Sequence, residues 1–112
     1  MRRWMMAAAT LTALAWDGAL PAQGQEATYT LTIRDHRFAP TELEIPAGQK
    51  IALTVKNLDS TAEEFESIEL HREKVVAGGQ EIIVYVGPLR PGRYEFFGDF
   101  NPQTARGTLV AK

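Results

Sequence analysis

Between residues 63 and 73 lie five glutamates, Glu63, Glu64, Glu66, Glu69 and Glu73, with His71 among them. Carboxylates are hard oxygen donors, and imidazole suits iron, zinc and copper. A mixed oxygen and nitrogen set of this kind fits Fe2+ or Fe3+. The candidate ligands here are Glu64, Glu66, Glu69 and His71. Strand parity puts Glu64 and Glu66 on one face and Glu63 on the other. The same charges also fit a solvated acidic face with local ion pairs to Arg72 and Lys74.

Other chemistry has little support. Asp35-His36-Arg37 reads as a turn with a surface imidazole rather than a ligand from a second loop. Tyr94 and Phe96 read as core aromatics, and one of Phe97 and Phe100 as an exposed docking contact beside a loop. No Ser/His/Asp set, phosphate-cradling glycine motif or nucleic-acid motif is present, so hydrolysis and phosphoryl transfer are unsupported. The chain has no cysteine. That excludes thiol chemistry, Cys2His2 zinc sites and type 1 copper together.

The elements that must position these residues read as strands. Tyr29, Leu31 and Ile33 alternate with Thr28, Thr30, Thr32 and Arg34, a half-buried strand. Phe38 and Pro40 sit in a connection, and Leu43 and Ile45 alternate with Glu42 and Glu44. Pro46-Ala47-Gly48 is a turn. Ile51, Leu53 and Val55 form the next inward face, which ends at Asn57. Residues 59–74 have mixed periodicity: a strand through Phe65, then an irregular segment or a short helix. Val75-Val76 is a short strand. Glu81 to Val86 is apolar on both faces and reads as a central strand. The expected fold class is all-β, a Greek-key β-sandwich of seven to eight strands.

The 112 residues allow one domain, with a net charge of −2. This balance argues against nucleic acid and against an anionic membrane surface as partner. Met1-Arg2-Arg3, an apolar run from Trp4 to Trp16, and small residues near Ala22-Gln23-Gly24 follow the order of a secretory signal. Residues 1–24 are therefore read as a cleaved signal peptide of the general export route, and residues 25–112 as the mature domain. The alternative is a membrane anchor, but the run is shorter than the roughly 20 residues that span a bilayer. The mature chain is expected in the periplasm with no stable membrane insertion.

A period-two run, Tyr94, Phe96 and Gly98, enters a polar loop with a proline, and Thr108-Leu109-Val110 leaves it. With Pro46-Ala47-Gly48, Asn57 to Phe65, Gly92 to Phe96 and Gly107 to Val110, this layout resembles the cupredoxin-like family from about Tyr29 to Lys112. Blue-copper members hold the metal with two imidazoles, a thiolate and a weak axial ligand. The matching positions here are Glu63 (Glu64 if the turn shifts by one), Gly98, Asn101 and Ala105, so the frame is present without the blue-copper set. Glu64-Phe65-Glu66-Ser67, Glu69-Leu70, Arg72-Glu73-Lys74, Gly87-Pro88-Leu89 and Phe96-Phe97 resemble the EfeO-type branch, found beside bacterial iron-uptake permeases. The resemblance implies that the final loop lies beside the acidic segment, which adds Asp99 to the candidate ligands. It also implies iron, or copper at a site unlike type 1, as the bound metal. Its partners would be an iron permease or other periplasmic iron-uptake proteins. The function implied is metal binding or handover, with Fe2+ oxidation as an assisted step. The competing reading is a metal-free module that docks on a permease or another periplasmic protein.

Overall fold

The computed structural model describes residues 27–112, all strand, turn and loop. The export signal read over residues 1–24 lies outside the described residues. Among the described residues nine strands follow in order: β1 (Ala27–Arg34), β2 (Arg37–Ala39), β3 (Glu42–Ile45), β4 (Ile51–Asn57), β5 (Glu63–Ser67), β6 (Arg72–Val76), β7 (Glu81–Val86), β8 (Gly92–Gly98) and β9 (Arg106–Ala111). They form a four-stranded sheet in the order β2-β1-β4-β7 and a five-stranded sheet in the order β3-β9-β8-β5-β6. Strands β1 and β4 run parallel, as do β3 and β9, and the remaining pairs are antiparallel.

Period-two patterning sends one side-chain set from each sheet inward. Leu31, Ile33, Leu53, Val55, Val84 and Val86 come from the first sheet. Phe65, Val76, Phe96, Leu109 and Ala111 come from the second. Phe38 joins the two. Its ring stands edge-on to Phe96 at 4.9 Å and to Phe65 at 6.2 Å between centroids. Phe65 and Phe96 stack at 5.4 Å. The segment read as a connection is thus a three-residue strand that delivers a buried aromatic. Its hairpin turn places Asp35 and His36 at positive φ. Their N–H groups donate to the Asp59 carboxylate at 2.7 and 3.0 Å. His36 is exposed, as the turn reading holds.

Two other expectations are corrected. Residues 59–74 contain no helix: β5 and β6 form a hairpin closed by a tight turn, with His71 at φ 54°. Strand β7 is not central but the outer strand of its sheet. Its two-sided apolar character has another origin. Val84 and Val86 face the core, while Ile83 and Tyr85 remain exposed on the outer face. The backbone edge of β7 is covered by side chains from β6. Arg72 Nε donates to the Tyr85 carbonyl at 2.7 Å, and Lys74 Nζ to that of Ile83 at 3.2 Å. Capping edge carbonyls with long cationic side chains blunts strand pairing with another molecule.

Candidate metal centre

The site is organised by β5, whose entry is held by a buried amide. Asn57 is 1% exposed at the end of β4. Its Nδ2 donates to the carbonyls of Thr61 and Val76 at 2.8 and 3.2 Å, and its Oδ1 accepts the Asp59 N–H at 3.0 Å. This ties the connection before β5 to the end of β6. Strand β5 then pairs with β6 on one side and with the end of β8 on the other. Its five residues alternate between the core and the outer face.

On the inner side, Glu63 is 1% exposed. A carboxylate taken from water is costly unless its oxygens are hydrogen-bonded. Here Oε1 accepts the N–H groups of Glu64 at 2.9 Å and Phe100 at 2.8 Å, and Oε2 accepts Asn101 Nδ2 at 2.7 Å. Room for the carboxylate comes from Gly98. A Cβ there would lie 2.5 Å from Glu63 Cδ and 2.7 Å from the Ala105 Cβ. The four positions that the family resemblance pairs with copper ligands thus meet at one point, with Glu63 rather than Glu64 turned inward. With no cysteine in the chain, no type 1 site forms among them.

The outer face carries the candidate centre. Ligand atoms of Glu64, Glu66 and Asp99 lie within 4.8 Å of one another. Asp99 is held there by backbone, its N–H donating to the Glu64 carbonyl at 2.9 Å. Glu73 stands opposite Glu66 on β6. The crowding shows in protonation. Glu64 is pushed up to about 7, first by desolvation, then by a hydrogen bond to the Glu73 carboxyl and the charges of Glu73, Asp99 and Glu66. Glu66 is also raised, by desolvation and then by the charges of Asp99 and Glu73. A hydrogen bond with the Glu64 carboxyl offsets part of that rise. A set of hard oxygen donors this close suits a cation that favours carboxylate ligands.

The five ligands read from sequence divide. Glu64, Glu66 and Asp99 come together, and the loop lies beside the acidic segment as the resemblance implies. Glu69 and His71 lie on the exposed turn beyond Ser67, outside this group. Two further glutamates take roles that local spacing does not show. Glu73 joins the cluster because the tight turn sets it across from Glu66. A hairpin register over residues 63–76 would have found it. Glu63 holds the loop, a role seen in its bonds to Phe100 and Asn101 and in the close approach of Gly98. Arg72 and Lys74 direct their side chains to the backbone of β7.

The sequence profile of the Cupredoxin-like domain family matches residues 4–111. An uncharacterized protein of Rickettsia prowazekii (strain Madrid E) is 49% identical over 80 residues, covering 71% of this chain and 64% of that protein. The chain therefore spans just under two thirds of that relative. Among solved structures, auracyanin A, a blue copper protein from Chloroflexus aurantiacus, has a TM-score of 0.63 at 15% identity, covering 79% of this chain and 100% of that one. A purple cupredoxin from Nitrosopumilus maritimus has a TM-score of 0.59 at 20% identity, covering 78% and 100%. At such identity the two structures speak for the fold alone.

Proposed function

Since this chain belongs to the cupredoxin-like domain family, we propose that it is a cysteine-free member that binds iron on an exterior carboxylate site and hands it over during ferrous-iron uptake in the periplasm. The observation that carries this reading is the convergence of Glu64, Glu66 and Asp99 within 4.8 Å. The resemblance of the β5–β6 hairpin to the EfeO-type branch supports iron as the cargo and a permease or another uptake protein as its recipient. The signal-like residues 1–24 support export. Type 1 copper would have offered an electron acceptor, and its thiolate is missing from the sequence. Binding and handover therefore fit this domain better than independent Fe2+ oxidation.

Anaerobic calorimetry with Fe2+ near neutral pH tests the reading. Wild type should bind, and Glu66→Gln and Asp99→Asn should each weaken binding. His71→Ala, on the turn beyond β5, should leave it unchanged. A flat wild-type titration would favour the metal-free docking module instead.

A further inference from the structure

We propose that Glu63 is the positioning residue of this site: its buried carboxylate clasps the β8–β9 loop and thereby fixes Asp99 against Glu64 and Glu66. The inference rests on the reading of those three carboxylates as iron ligands. Asp99 is the candidate ligand that comes from a loop, so it has the most freedom to lose. It is bracketed by two bonds to β5. Its own N–H donates to the Glu64 carbonyl at 2.9 Å, and the next N–H, from Phe100, donates to Glu63 Oε1 at 2.8 Å. Glu63 Oε2 takes Asn101 Nδ2 at 2.7 Å. Asn101 in turn organises the rest of the loop: its carbonyl accepts the N–H groups of Thr104 and Ala105 at 3.2 and 2.9 Å. Its own N–H returns to the Gly98 carbonyl at 3.0 Å.

Neighbouring residues on one strand thus do opposite jobs. Glu64 presents its carboxylate outward, and Glu63 spends both oxygens inward on the loop that brings the third ligand. Groups that orient a ligand set its affinity through the geometry they enforce.

The test compares Fe2+ affinity, measured anaerobically well below the melting temperature, across three variants. Glu63→Met keeps the volume and removes every acceptor; its affinity should fall about 10- to 100-fold, the range for lost orienting partners. Glu63→Gln retains an oxygen for the Phe100 N–H, and with the Asn101 amide turned over its new NH2 still donates to Asn101 Oδ1, so affinity should stay within a few-fold of wild type. Val55→Ala, a core truncation on β4 of the opposite sheet, should lose melting temperature without losing affinity. Wild-type affinity in folded Glu63→Met overturns the proposal. Should Glu63→Met fail to fold, Asn101→Ala decides, since it removes the Oε2 bond alone. Weaker binding there supports the clasp and unchanged binding overturns it. A flat wild-type titration sinks the iron reading instead. The clasp is then judged by amide exchange at Phe100, which Asn101→Ala should accelerate; an unchanged rate rejects it.

Discussion

The carboxylate of Glu63 occupies the space that a side chain at position 98 would need: a Cβ on Gly98 would stand 2.5 Å from Glu63 Cδ. Real Cβ atoms do not approach so closely. The glycine and the buried acid are therefore one arrangement, and a side chain at position 98 fits only if Glu63 gives way.

Gly98→Ala should consequently destabilise the domain by overpacking, by about 1–3 kcal/mol. For a domain the size of residues 27–112 each kcal/mol lowers the melting temperature by roughly 4–8 °C. Thermal unfolding measures it directly, and a wild-type melting temperature would contradict the geometry.

Added Cu2+ should produce no intense thiolate-to-copper absorption, because no cysteine exists to form the Cu–S bond. Installing the thiol alone, as Gly98→Cys, should also fail to give a blue product, since the new side chain runs into Glu63. An intense blue colour in either protein would show that the loop admits metal where Glu63 now lies.

Metal-free stability should fall as pH rises from about 4.5 to about 7. Glu64 ordinarily titrates near 4.5 but is pushed up to about 7 in the fold. Between those values the folded protein holds a proton that the unfolded chain has released, so raising pH favours unfolding. Glu64→Gln should be more stable than wild type above pH 7 and nearly equal to it below 4.5. Denaturant melts at both ends of that range would reveal a wrong sign.

Asp59 titrates the other way. Its pKa is lowered, chiefly by the His36 N–H, with the Asp35 N–H adding to the effect against the cost of burial. Its contribution is fully present above the ordinary aspartate range and disappears as pH falls through the lowered folded value. Asp59→Ala should cost about 1.5–3 kcal/mol at neutral pH, as for hydrogen bonds to a charged group. The loss should shrink in acid, and a pH-independent loss would assign Asp59 a different role.

Phe38→Ala should be among the costliest single changes, at about 3–5 kcal/mol, because the ring is 2% exposed and packs against both Phe65 and Phe96. Chemical denaturation checks this. A small effect would mean that the two sheets close without the bridging ring.

Alternation alone was sufficient to read β1, β4 and β8, because each buries one face and a two-residue period has a single register that does so. The absence of cysteine likewise rules out type 1 copper from composition alone. Parity also separated Glu63 from Glu64 and Glu66. Pairing between distant segments lay beyond such local rules. Nothing near Phe38 announces that Phe65 and Phe96 await it across the sandwich. Nothing near Glu81 says that β7 lies at an edge, its carbonyls met by Arg72 and Lys74. Tertiary structure likewise chose which acids share a site. The turn at 68–71 carries Glu69 and His71 away and sets Glu73 across from Glu66, while pairing of β5 with β8 delivers Asp99 to Glu64. Residue type and spacing along a strand determine which face a side chain takes. Which other strand's side chains it meets there depends on hydrogen-bonded neighbours remote in sequence.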